Sequence, residues 1–202
     1  MPVSSPREQI MLAAERLIAE RGPDVPLREI CVAAGQRNNS AVQYHFGDRD
    51  GLIAAIVGHR LGPEEDERLR RLAELEAAGD GADPRRLIAT LVEPIFTVAR
   101  RDGATHHARF LEQVRAHPAM RALGAPDTQP PAIRIILARL ERALKPIPAA
   151  LRARRLSALA TTEFALLADH ERAVEAGTAT SSADALADIA AMLHAMLFAP
   201  AA

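Results

Sequence analysis

The chain has 202 residues, enough for one large domain or for a small domain joined to a larger one. Apolar residues make up 49 %, aromatic ones only 3 %, and Trp is absent; with Ala and Leu dominant and β-branched runs scarce, this favours an all-helical protein over a sheet protein. A net charge of −1 excludes a generally basic nucleic-acid coat, and the single Cys31 excludes an internal disulfide, so a reducing cytoplasm is the expected setting.

No signal peptide is read at the start. The longest uncharged apolar stretch, from Ile189 onward, carries His194 and Pro200. A bilayer span needs about 20 apolar residues, so no membrane partner is expected.

Ser5-Pro6-Arg7-Glu8 reads as a capping box with Pro at the first helical position. Ile10, Ala14, Leu17 and Ile18 then form an apolar stripe, and Gly22-Pro23 ends this helix. A second helix begins near Pro26, buries Leu27, Ile30, Cys31 and Ala34 on one face, and stops at Gly35. After the polar stretch Gln36-Arg37-Asn38-Asn39-Ser40, where Asn38 or Asn39 can cap, a brief third helix spans Ala41 to His45 and closes at Gly47.

Asp48 caps a fourth helix with the stripe Leu52, Ile53, Ile56 and Val57, and Gly62-Pro63 is expected to break it. A charged helix from Pro63 to Ala78 follows, then a joint at Gly79-Asp80-Gly81. Further helices are expected from Pro84 towards Arg101 (with a kink at Pro94), over His106–His117, and over 132–145, 149–176 and 182–198, with a loop at 124–131.

Three short helices in the first 47 residues, the last two joined by a Gly-containing turn, form a helix-turn-helix pattern. The third is too short and polar to be stable alone. Its candidate DNA-reading residues are Arg37, Asn38, Asn39, Ser40, Gln43 and Tyr44. Asn and Gln pair bidentately with adenine, Arg with guanine, and hydroxyls reach phosphates or base edges.

The run Leu27-Arg28-Glu29-Ile30-Cys31-Val32-Ala33-Ala34-Gly35, followed by Val42-Gln43-Tyr44-His45-Phe46-Gly47-Asp48-Arg49-Asp50-Gly51-Leu52, resembles the signature of the TetR/AcrR transcription regulators. The likeness covers roughly residues 5–55 and implies that Tyr44, His45 and Arg49 contact or frame DNA phosphates. Gln43 stands where that family usually has Tyr, and the interval from Gly35 to Phe46 is one residue longer than its common pattern.

The resemblance further implies three parts: a DNA-binding domain over 1–47, a connecting helix over 48–62, and a helical ligand-binding and dimerisation domain over 63–202. Its partners would be double-stranded operator DNA, a small-molecule effector and a second copy of the chain. Pocket candidates are Leu91, Phe96, Phe110, Leu111 and Val114, with Thr97, His107, Arg109 and Glu112 as polar groups. Each reads equally well as ordinary core or solvated face. Candidates for a dimeric four-helix bundle are Leu156, Leu159, Phe164 and Leu167 with Leu186, Ile189, Leu193 and Leu197. In such a dimer Gly62-Pro63 would be the mechanical joint between sensing and DNA binding.

No cofactor, metal site or enzyme activity is expected. His106 and His107 are adjacent and would point about 100° apart on a helix, so they cannot chelate as an i, i+4 pair could. HExxH, a Gly-rich phosphate loop and a Ser or Cys nucleophile motif are absent. The first 62 residues hold seven Arg against seven Asp and Glu, which keeps open a second reading: a helical sensor or interaction module without DNA binding.

Overall fold

The structure is a computed structural model that describes residues 5–36, 38, 40–101, 106–122, 127–179 and 181–200. Ten α-helices and no strand occur among them. The first three, α1 (Pro6–Arg21), α2 (Leu27–Ala33) and α3 (Ala41–Phe46), pack with one another and onto α4 (Arg49–Ala77). The rest are α5 (Pro84–Arg101), α6 (His107–Val114), α7 (Pro118–Ala122), α8 (Pro131–Ala143), α9 (Ala149–Glu175) and α10 (Ser182–Phe198). No helix is long and apolar enough to cross a membrane among the described residues.

Local chemistry starts α1 and α4 as the sequence anticipates, whereas α3 begins without a side-chain cap. Ser5 Oγ accepts from Glu8 N at 3.2 Å, and Asp48 Oδ1 accepts from Gly51 N at 2.8 Å. At the other end of the chain, Arg155 Nη1 donates to the Leu197 carbonyl at 2.8 Å, a cation at the free carbonyl end of α10. The apolar stripes of α1, α2 and α4 are buried, with Ile10, Ile18, Ile30, Leu52 and Ile53 almost wholly sequestered. They belong to the same apolar cluster as Leu91, Phe110, Leu140 and Leu193, so the core continues from the first helices into the later ones.

Two helices bind the halves together. The long α4 packs against α1 and α3 and also against α5, α7 and α8. The short α6 lies against α1, α5 and α9. α7, unforeseen from the sequence, closes the space beside α4.

The expected break at Gly62-Pro63 does not occur: α4 runs unbroken through Pro63. Proline removes the hydrogen bond its own N–H would give and its ring crowds the carbonyl one turn back, together at a cost of about 3 kcal/mol, and tertiary contacts offset it here. Arg60 and Glu64 on either side are buried and ion-paired, and Glu65 Oε1 accepts from Ala132 N at the start of α8. The joint imagined at this position is therefore the interior of a 29-residue helix.

Pro63→Ala should stabilise the protein by about 2 kcal/mol, the restored backbone bond outweighing the roughly 0.4–1 kcal/mol by which proline restrains the unfolded chain. Thermal melts of the two proteins check this. A lower midpoint in the variant would mean that α4 needs its proline.

Candidate functional site

α3 is only six residues long, and its inward side chains are Ala41 and Val42. Its end is set by Gly47, whose φ of 79° suits glycine. The α3–α4 junction is tight as well: a Cβ on Gly51 would fall 2.0 Å from the Phe46 carbonyl oxygen. Ser40 occupies the N-cap without a side-chain bond; Asn38 Oδ1 instead accepts from Ser40 N at 2.9 Å and shapes the turn.

Asn38, Ser40, Gln43 and Tyr44 face solvent, Tyr44 with 84 % of its surface exposed. His45 is half-buried edge-on to the Tyr44 ring. Arg49 is half-buried and its Nη1 donates to the Pro23 carbonyl, which ties the start of α4 to the α1–α2 loop. Arg37 and Asn39 lie outside the described residues.

Four acids of this region are engaged within the fold. Glu15 is buried against Arg60, Glu20 pairs with Arg16, Glu29 with Arg21, and Asp48 caps α4. None of these acids lies on α3, so its outer surface is polar and free of carboxylate.

A cavity of about 510 Å³ opens between α8 and α9. Ile133, Leu137, Leu156, Leu159 and Phe164 form its apolar walls, with Leu91 and Met120 across from them. Arg115, Arg121, Gln129, Ser157, Thr161 and Glu163 supply polar groups. A void of about 50 Å³ adjoins it through Met120, Glu163 and Phe164, and is lined also by Arg60, Glu64, His107 and Leu111.

Of the pocket candidates, Leu91 lines the main cavity, and His107 and Leu111 line the small void. Phe96 and Thr97 face a separate recess with Arg100, Ser182 and Leu186. Phe110 and Val114 are core. Arg109 is buried and pairs with Glu175 at 2.7 Å, while Glu112 pairs with Arg172.

The groups that sequence reading missed form a buried charge cluster between the two ends of the molecule. Arg60 reaches Glu15 with two nitrogens, Nε to Oε1 at 3.0 Å and Nη2 to Oε2 at 2.7 Å. His107 Nδ1 lies 2.8 Å from Glu15 Oε1. Its Nε2 stands 2.8 Å from Glu64 Oε1, close enough for a charge pair but off the line of a hydrogen bond. Arg68 binds Glu64 at 3.3 Å and the Leu91 carbonyl at 3.0 Å.

Burial pushes these ionisations one way and the partners push them back. For Glu15, burial raises the pKa, but the bonds from His107 and Arg60 prevail and hold it at about 2. For His107, burial lowers it, but Glu64 and Glu15 raise it to about 9. Glu64 is likewise held down by His107 and Arg68 against its burial. Glu163 differs: burial, with Glu64 adding and Arg68 opposing, pushes its carboxyl up to about 7.

The candidate pairing stripe is occupied within the chain. Leu159, Phe164, Leu167, Leu186, Ile189, Leu193 and Leu197 are buried, and Leu156 is half-buried on the cavity wall. α10 packs on α9 and α5. Its outward residues are instead Ala183, Asp184, Ala187, Asp188, Ala191, Met192 and Ala195.

These features define an all-helical protein with an exposed three-helix end, an amphipathic cavity and a buried ionic cluster between them. The chain matches no family model, and no curated protein matches it.

Proposed function

We propose that the protein is a DNA-binding transcription regulator of the TetR type, a homodimeric repressor released from its operator by a small molecule. The observation that carries this reading is α3. A six-residue helix is unstable in isolation, yet here two buried side chains, a glycine stop and a tight junction to α4 hold it rigid. What it presents outward is Ser40, Gln43 and a strongly exposed Tyr44, side chains suited to phosphates and base edges.

In this reading two copies pair through the outward faces of α9 and α10 and set their α3 helices about 34–36 Å apart, or a multiple of that, along the duplex. The effector occupies the cavity bounded by α8 and α9. The ionic chain from Glu64 through His107 to Glu15 joins α4 and α6 to α1, a physical route by which a shift in the sensor half reaches the DNA-binding end.

The test is fluorescence anisotropy with DNA from the gene's own upstream region, and then with selected random duplexes, at two salt concentrations. Sequence-selective binding that weakens steeply with salt is expected. Tyr44→Ala should lower affinity roughly tenfold, about 1.4 kcal/mol, with the fold unchanged. Failure of every duplex to bind selectively would replace the regulator with a helical sensor module that does not bind DNA.

A further inference from the structure

The main cavity has an apolar wall and one buried acid. Glu163 projects from α9 into both the cavity and the adjoining void, and only 6 % of its surface is exposed. Its Oε2 is fully enclosed and has no hydrogen-bond partner among the described residues. Every other carboxylate in the buried cluster has a cation against it: Glu15 has Arg60 and His107, and Glu64 has His107 and Arg68.

An unmatched buried carboxyl is costly unless a ligand supplies the missing donor. Its surroundings decide which ligand fits. Arg68 and Glu64, both on α4, act on Glu163 with opposite signs: Arg68, the stronger, favours the carboxylate, Glu64 disfavours it, and burial prevails. Arg60 and His107 share the small void with it, but both are engaged by Glu15. Arg115 and Arg121 line the outer part of the cavity and are solvent-exposed, Arg115 also donating to Thr161 Oγ1 at 3.2 Å, so water and salt screen their charge. The enclosed end of the cavity therefore offers apolar surface and an acceptor lacking a donor.

We infer that the cavity binds an apolar amine, its ammonium group on the Glu163 carboxylate and its hydrocarbon body against Leu91, Leu159 and Phe164. This rests on the reading of the cavity as the effector site and adds the chemical class of the effector. Binding draws Glu163 into its ionised form, so below neutrality each amine bound displaces one proton from that carboxyl. An alcohol of the same shape gains only a neutral hydrogen bond, and a carboxylate meets a like charge.

The experiment is calorimetric titration of the full chain, without DNA, using phenylbutylamine, phenylbutanol and phenylbutanoate near pH 8. The amine should bind roughly tenfold more tightly than the alcohol, and the acid least. Glu163→Gln should lower amine affinity by at least roughly tenfold and leave the alcohol nearly unchanged. This variant should fold: burial disfavours the charge, so a neutral isostere removes a penalty that grows as pH rises from 4.5 through about 7.

A pH series on the wild type provides an arm independent of any variant. Amine affinity should climb by roughly tenfold per pH unit below about pH 7 and then level off, while alcohol affinity stays flat. Equal or tighter binding of the alcohol or the acid, an unaffected Glu163→Gln, a flat amine profile, or no binding of any probe overturns the inference. Because no DNA is present, these results leave the regulator reading to its own test: amine binding without operator binding, or the reverse, separates the two.

Discussion

His107→Ala is expected to destabilise the protein by about 3–5 kcal/mol, enough to leave a marginal fold largely unfolded at growth temperature. His107 is almost completely buried and stands between Glu15 on α1 and Glu64 on α4, 2.8 Å from each. Arg60 and Arg68 remain after the substitution, but each carboxylate loses a cation from a site almost closed to solvent. Converting the whole cluster, Glu15, Arg60, Glu64, Arg68 and His107, to apolar residues of similar size should recover much of the loss, because no buried charge is then left without a partner. Denaturant melts of the single and fivefold variants decide it. A loss below about 1 kcal/mol in the single variant would show that the cluster does not act as a unit.

The same cluster dictates how stability varies with pH. His107 is held up at about 9 from 6.5, so its stabilisation is complete below 6.5 and disappears as pH rises through 9. Glu15 is held down at about 2 from 4.5, so its contribution is present above 4.5 and fades as pH falls towards 2. Glu163 has the opposite sign for a carboxylate: raised to about 7, it removes stability between 4.5 and 7 as it ionises. These windows place the maximum of stability on the mildly acidic side of neutrality. In Glu163→Gln the decline between 4.5 and 7 should disappear while the decline towards 9 persists. Thermal midpoints across that range read both.

Much of the fold was legible because local signals and periodicity agreed. Ser5, Asp48 and Ser181 cap helices where hydroxyl or carboxylate precedes an apolar stripe, and the stripes themselves are buried. Pro63 misled because helix breaking is a local preference, whereas the contacts of Arg60, Glu64 and Glu65 that carry α4 through it are with residues distant in sequence. The ionic cluster left a faint trace that pattern reading passed over. On α4 the apolar stripe Ile53, Ile56, Val57 continues at spacings of three and four into Arg60, Glu64 and Arg68 before returning to Leu72 and Leu75. Charges at stripe positions signal burial with partners. Which partners, on α1, α6 or α9, depends on tertiary packing that periodicity does not encode. The cavity is a similar case, since Leu91 and Glu163 lie 72 positions apart (163 minus 91) and meet only because α5 and α9 are neighbours of the same space. Sequence reading located the α3 face better, because its exposed side chains and the glycine that ends it are contiguous in the chain.

Glu171→Ala is expected to match the His107 variant in cost, about 3–5 kcal/mol, by a different mechanism. α6 begins at His107 without a side-chain cap of its own. Glu171, buried on α9, takes that role from a distance: Oε1 accepts from Ala108 N at 3.0 Å and Oε2 from Arg109 N at 2.9 Å. A carboxylate at a helix N-terminus satisfies two free donors and opposes the positive end of the helix dipole. Alanine leaves both donors buried and unpaired and also strips a negative charge from beside Arg109. Glu171→Gln should lose about 2 kcal/mol, since one oxygen can still accept while the amide nitrogen faces an N–H. Hydrogen exchange would resolve where the loss falls: the amides of Ala108 and Arg109 should lose protection in both variants, most in Ala. Because α6 carries His107 against α1, loosening its first turn also loosens the contact between α6 and α1. Under the regulator reading, Glu171→Gln should therefore retain operator binding but respond less to effector, and an undiminished response would mean that the coupling runs through α4 alone.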